Sequence, residues 1–234
     1  MKILVINGQM HKGSTYTIGK ILVEKIATEN DTVSQLFLPR DMPNFCVGCT
    51  KCILQDEQLC PHNEYTLPAA KLMNEADLLI FTTPVYVFHT TGQMKTFLDH
   101  FAYRWMVHRP EKSMFNKQAV VISTAAGAGM RPTNKDVTDS LYFWGVGRVY
   151  KYGIAVQATS WKGVSDTKKE KISHSMDKLC SKIKKRENNV TACLKTKILF
   201  KVMRIFQKKI GISPLDKIYW QNNGWLDKKR PWKH

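Results

Sequence analysis

Lys2-Ile-Leu-Val-Ile-Asn-Gly8-Gln-Met-His-Lys-Gly13-Ser-Thr15 opens the chain and runs directly into Tyr16–Ala27. Lys2–Ile6 is a short, nearly all-apolar run rich in β-branched residues. That pattern predicts a strand buried on both faces of a parallel sheet. Asn7–Gly13 is a turn-forming loop bracketed by Gly8 and Gly13. Ser14 and Thr15 stand where a helix should begin. A helix N-terminus offers unpaired amides and the positive end of the macrodipole. With two hydroxyls beside it, it can seat a phosphate. The same residues also read as a plain strand–turn–helix with Ser14 as cap, and this stretch alone leaves both readings open. The glycine spacing does not fit Gly-x-Gly-x-x-Gly, and no Gly-Lys-Ser/Thr ending is present, which excludes the dinucleotide fingerprint and the NTPase loop. A mononucleotide-type loop of hydroxyls and amides remains, with Lys12 or His11 able to add charge.

Outward from this corner, strand and helix patterns alternate. Helices are expected over Thr17–Ala27, Tyr65–Asn74, Gly92–Trp105, Asn134–Trp144 and Thr167–Lys184. Strands are expected over Thr32–Leu38, Asp77–Thr82, Gln118–Thr124 and Arg148–Val156. Pro39–Pro61 reads as a loop. Five strands alternating with helices imply an α/β fold with a parallel sheet covered on both faces. In the strand order 2-1-3-4-5, the first, third and fourth strands are neighbours. The loops Asn7–Thr15, Thr82–Thr91 and Thr124–Arg131 then converge on one crevice beyond the carboxyl ends of the strands. Alone, Gly127 and Gly129 read equally as a turn, and Tyr86 and Phe88 as a surface aromatic pair.

The chain has 234 residues, of which 43% are hydrophobic, enough for a substantial core. No uninterrupted apolar run is long enough to cross a bilayer. The N-terminus lacks the basic-then-apolar layout of a secretory signal, so a cytoplasmic protein is expected. The net charge of +17 is uneven. Residues 1–160 carry 16 Lys and Arg against 13 Asp and Glu, whereas residues 161–234 carry 20 against 6. A polyanionic partner would therefore meet the C-terminal third.

Three blocks resemble the flavodoxin-like NAD(P)H-dependent FMN reductases. They are Asn7-Gly8…Lys12-Gly13-Ser14-Thr15, Ala76-Asp77-Leu-Leu-Ile-Phe-Thr-Thr-Pro84-Val-Tyr86 and Thr91-Gly92-Gln-Met94-Lys95-Thr-Phe-Leu98-Asp99-His100. The resemblance covers residues 1–160. It departs from the family pattern at His100, where Arg is usual, and at Gln9-Met10, where Ser-Pro is usual. It implies a flavodoxin-like three-layer sandwich, FMN as cofactor and NAD(P)H as electron donor. The phosphate would sit on the Gly8–Thr15 loop, contacted by Ser14 and Thr15. Pro84, Val85, Tyr86 and Phe88 would border the isoalloxazine ring, and Thr124, Ala125, Gly127 and Gly129 its pyrimidine side. Hydride chemistry would belong to the flavin, so no side chain is nominated as catalytic. Lys95 and Asp99 are expected to cap and pair, and Trp105 and Trp144 to pack in the core. The expected activity is electron transfer from NAD(P)H to a small acceptor: a quinone, a flavin or a redox protein.

Cys46-x2-Cys49-x2-Cys52-x7-Cys60-Pro61 is the most distinctive local pattern. Cytosolic thiols stay reduced, so a disulfide framework is not expected. The first three cysteines match a ferredoxin-like run, although the last gap is longer. The loop resembles the compact motif of the iron-sulfur flavoprotein branch of the family, which implies a 4Fe-4S cluster and electron carriage between proteins. Zinc, with His62 as an alternative ligand, and a metal-free packing loop are the other readings.

Residues 1–186 are expected to form the FMN-binding domain, and 187–234 a basic, amphipathic and aromatic extension. Leu194, Ile198, Leu199, Val202, Ile205, Phe206 and Ile210 form one apolar stripe between lysines. The stripe is expected to pack on its own domain or on a second subunit. Docking on a membrane surface is the alternative. The aromatics that follow are expected to clamp the tail down. No nucleic-acid module is recognisable, and a binding module built on the tail alone is the non-enzymatic alternative. Relatives are often dimers, which implies a homo-oligomer.

Overall fold

The computed structural model describes residues 1–187 and 189–233. The chain runs β1 (Lys2–Asn7), α1 (Ser14–Ile26), β2 (Thr32–Phe37), α2 (Lys51–Leu54), α3 (Asn63–Glu75), β3 (Leu78–Pro84) and α4 (Gly92–His100). It continues with β4 (Gln118–Ala125), α5 (Met130–Phe143), β5 (Arg148–Ala155), α6 (Asp166–Lys184), α7 (Leu194–Lys209) and α8 (Pro214–Asn222). All pairings in the sheet are parallel, and the order is β2-β1-β3-β4-β5.

Successive strand side chains point to opposite faces, so each central strand feeds two cores. Leu4, Ile6, Leu79, Phe81, Ala119 and Val121 meet Met73 of α3, Phe97 of α4 and Val137 of α5. Ile3, Val5, Leu78, Ile80, Val120 and Ile122 meet Ile18, Leu22 and Ile26 of α1 and Ile172, Met176 and Ile183 of α6. These helix residues follow the three-to-four spacing of an inward face. Each fully buried Ile or Leu contributes about 1.5–3 kcal/mol. The arrangement is the flavodoxin-like three-layer sandwich expected for this sequence.

Local boundaries differ for identifiable reasons. Gly13 is the cap of α1 and Ser14 its first helical residue, so the expected Ser14 cap is not made. The expected helix to Trp105 ends at His100 and continues as a separate 3-10 turn, Ala102–Arg104. α5 starts at Met130, four residues before the expected Asn134, because Gly129 enters it with φ +100°. The expected loop Pro39–Pro61 contains α2 and a 3-10 turn over Glu57–Leu59. Trp144 is buried and donates to the Phe101 carbonyl at 3.1 Å, while Trp105 stacks on Phe143. Both pack in the body, and Lys95 pairs with Asp99.

The tail docks on the body through a third core. Phe200, Trp220, Trp225 and Leu226 close over Met106 and Phe115, with Trp232 packed beside them. α8 was not anticipated, although Ser213 caps it at 3.2 Å and Pro214 occupies its first turn. The orientation of α7 corrects one of the two packings expected for its stripe, that on its own domain. It buries Thr196, Phe200 and Gln207, while Leu194, Ile198, Val202 and Ile205 are exposed. Phe200 decides this, because its ring stacks 4.9 Å from Trp220 and lies 5.1 Å from Trp232. The Gln207 Nε2–H then donates to the Val107 carbonyl at 2.6 Å.

Candidate cofactor groove and cysteine loop

The carboxyl ends of β1, β3, β4 and β5 border one open groove of about 210 Å³. Gly13, Ser14, Thr15, Pro84, Val85, Tyr86, Thr124 and Ala125 line it, together with Gln9, His11, Ala126, Val156, Ala158 and Thr159. The first eight were expected from the sequence. The loop after β5 was missed. The strand order holds its signal, since β5 lies beside β4. Val156 and Gln157 donate to the carbonyls of Ala125 and Ala126, joining the two loops.

Several hydrogen bonds fix the groove. The Gly8 amide donates to the Thr82 carbonyl at 2.7 Å, and Thr91 Oγ1 donates to the Gly8 carbonyl at 2.7 Å. Buried Thr15 and Thr124 bond hydroxyl to hydroxyl at 2.6 Å, linking the start of α1 to the end of β4. Gly13 has no side chain with which to bond the first-turn amides of α1, and that turn contains no acidic residue. The helix therefore presents its positive end to the groove.

Five expected site residues stand behind or beside this lining. Gly8 is under the loop, where a Cβ would come 3.0 Å from the Thr82 carbonyl oxygen. Lys12 lies over the rings of Tyr16 and Phe37 at 5.6 and 5.5 Å rather than in the groove. Gly129 supports the neighbouring loop, because a Cβ there would come 2.6 Å from Val85 Cγ1. Gly127 faces open space. Phe88 sits at the tip of a tight reversal in which Tyr86 and His89 exchange backbone hydrogen bonds. Val87 and Phe88 both have positive φ, 47° and 65°. A β-branched residue in that region is strained, and such strain persists only where surrounding contacts impose it. Asp136 supplies some of them, accepting from the Thr90 amide at 3.0 Å and contacting His89 Nδ1 at 3.0 Å. Tyr86 OH donates to Gln9 Oε1 at 2.6 Å and latches this loop to the first.

These observations agree with a match along the chain: residues 1–159 fit the family model described as NADPH-dependent FMN reductase. The chain belongs to that family. It is 26% identical over 130 residues to an iron-sulfur flavoprotein of Archaeoglobus fulgidus, covering 55% of this chain and 56% of that protein. It is 24% identical to FMN-dependent NADH:quinone oxidoreductase 1 of Mesoplasma florum, covering 54% and 68%. The chain spans about half the length of the curated iron-sulfur flavoproteins it matches. An FMN-dependent NADH-azoreductase from Bacillus anthracis, solved in complex with FMN, superposes with a TM-score of 0.55 at 12% identity. That alignment covers 77% of this chain and all of the azoreductase, and it bears on the fold.

In this family member, Cys46, Cys49, Cys52 and Cys60 surround a separate small cavity with His62 and His100. Cys46 and Cys49 are exposed, and Cys52 and Cys60 half-buried. Burial, reinforced by the other three cysteines, pushes the Cys52 thiol up to about 11. His62 Nε2 is buried without a hydrogen-bond partner. Four thiols and an unpartnered imidazole nitrogen are a donor set suited to a soft metal. Among the described residues, no three such groups stand close enough together to hold one ion.

An imidazole and a guanidinium hold the loop from behind. His100 Nε2 meets the Asn44 carbonyl at 2.9 Å, and burial lowers the pKa of this imidazole. Arg109 donates to the carbonyls of Cys52 and Ile53 and to Asp216 of α8, the last at 2.9 Å. Asp216 is fully buried and also faces His108 Nδ1 at 2.9 Å. A further cavity of about 500 Å³ lies away from both sites, among Arg131, Arg148, Lys151, Cys193 and Lys195.

Proposed function

We propose that this protein binds FMN in the groove and acts as an NAD(P)H-dependent flavin oxidoreductase that passes electrons to a small acceptor, a quinone, a flavin or a redox protein. Residues 1–186 form the working body in this reading, 187–234 extend it, and the protein acts as a homo-oligomer. The observation that carries it is the open positive end of α1 beside Ser14 and the Thr15–Thr124 hydrogen bond. Helix amides and hydroxyls in this arrangement suit a terminal phosphate. Pro84, Val85 and Tyr86 give the groove an apolar wall for a flat ring, and the strand ends at Thr124 and Ala125 border the side where its polar edge would lie. Gly8 and Gly129 let the loops approach closely, and Tyr86 with Gln9 fixes the mouth. When bound, the flavin supplies the hydride chemistry, and the protein supplies orientation and water exclusion. The test is FMN titration of the apoprotein, followed by NADH and NADPH oxidation with a quinone. Saturable quenching of flavin fluorescence and acceptor-dependent turnover are expected. Failure to bind FMN in excess would defeat the reading.

A second reading, an iron-sulfur flavoprotein carrying electrons between proteins, is supported by the cysteine cavity and its unpartnered His62 Nε2. Iron and sulfide content of anaerobically handled protein, with Cys49→Ser as control, tests it.

A further inference from the structure

The outer surface of the tail reverses the usual distribution of side chains. α7 places Thr196 and Gln207 inside, at 1% and 0% exposure, and leaves Leu194, Ile198, Val202 and Ile205 at 74, 53, 51 and 55%. At about 100° per residue these four fall along one line of the helix. Lys197, Lys201, Arg204 and Lys208 lie along one edge of it, Lys209 falls within it, and Lys195 stands beyond the other edge with its ammonium over the Tyr142 ring at 4.2 Å. α7 contains no acidic residue. The apolar exposure continues through Ile210 at 75%, Ile212 at 48% and Ile218 at 51%. Scattered exposed apolar side chains need no explanation, but an ordered row of this length marks an interaction surface.

We propose that this face docks the protein on the surface of an anionic lipid bilayer, lying in the headgroup plane without crossing it. The reading is independent of what the groove binds. An apolar row with a cationic edge matches the two layers of a membrane interface, acyl chains beneath and phosphates above. Lysine stems reach upward while their ammonium groups remain among the phosphates. Alternative occupants fit less well. A second copy stacked antiparallel would bring two carboxylate-free cationic edges together, with like charge opposing like. A nucleic acid would engage the lysines but leave the aliphatic row without a partner. A transmembrane role does not arise, since no helix among the described residues is long and apolar enough to cross a membrane.

The experiment is flotation of the full chain with vesicles of phosphatidylcholine alone and of phosphatidylcholine with phosphatidylglycerol. The protein should float with the anionic vesicles and not the neutral ones, and higher salt should weaken the association. Ile198→Glu with Ile205→Glu changes two exposed side chains outside every core, so the melting temperature should not move. That double variant, and separately Lys197→Glu with Lys201→Glu, should each lower partitioning at least about tenfold. Three results would overturn the proposal. They are no binding to anionic vesicles, equal binding by the isoleucine variant, and an oligomer in analytical ultracentrifugation that the isoleucine substitutions dissolve.

Discussion

The groove at the start of α1 and the cysteine loop after β2 are both candidate cofactor sites, but the fold prepares them to different degrees. In the groove, Thr15, Thr124, Gly8 and Thr91 are buried or backbone-bonded into one network. In the loop, Phe45 and Val47 are 73 and 65% exposed, Cys46 and Cys49 face solvent, and the main restraints are His100 and Arg109 behind it. A rigid groove needs little reorganisation to accept its ligand. A loose set of thiols gains its order from the metal, so binding and folding are coupled there. One site should therefore keep its shape when empty, and the other should not.

The largest effect is expected where the loop is fastened. Asp216→Ala leaves Arg109 and His108 without their buried partner. Breaking such a pair costs about 3–5 kcal/mol. Urea unfolding should show that loss, and limited proteolysis should reach residues 45–60 first while FMN still binds the folded fraction. Next, Gly129→Ala forces a Cβ against Val85 at a backbone angle few side chains adopt. FMN affinity should fall by an amount equivalent to about 1–3 kcal/mol, measured by titration. Thr15→Val removes one hydrogen bond and should weaken FMN binding by about 1 kcal/mol, leaving metal uptake unchanged. Cys49→Ser should do the reverse, with the metal-free protein's stability within about 0.5 kcal/mol of the parent. The smallest effect is chemical. Cys52, with its thiol held up to about 11, should alkylate slowly in metal-free protein at neutral pH. Its rate should rise about tenfold per pH unit as the thiolate fraction grows, because the thiolate is the nucleophile. A Cys52 that reacts quickly near pH 7 would show that the loop is already more open or more ordered than described.

The same contrast explains what the sequence revealed. The central strands were legible because a strand buried on both faces must be continuously apolar, as Leu78–Phe81 and Ala119–Ile122 are. Their order then placed three loops together. The β5 loop lacked such a mark, since Gln157, Ala158 and Thr159 resemble any polar turn and only the neighbouring strand brings them in. Lys12 and Gly129 illustrate a different limit. Residue type indicated charge and flexibility, but the rings of Tyr16 and Phe37 and the crowding by Val85 decide where they act. In the tail, periodicity correctly gave a helix, but of the two packings expected for its stripe, the one on the chain's own domain does not hold for Leu194, Ile198, Val202 and Ile205. The deciding contacts come from Trp220 and Trp232, far along the chain from Phe200.

Arg109 has a consequence for how the molecule opens. One guanidinium holds the backbone at Cys52 and Ile53 and the carboxylate of α8. The last helix and the segment before α3 are distant in sequence but share that anchor. Hydrogen exchange should find their amides released in a single step, as one cooperative unit, rather than fraying independently.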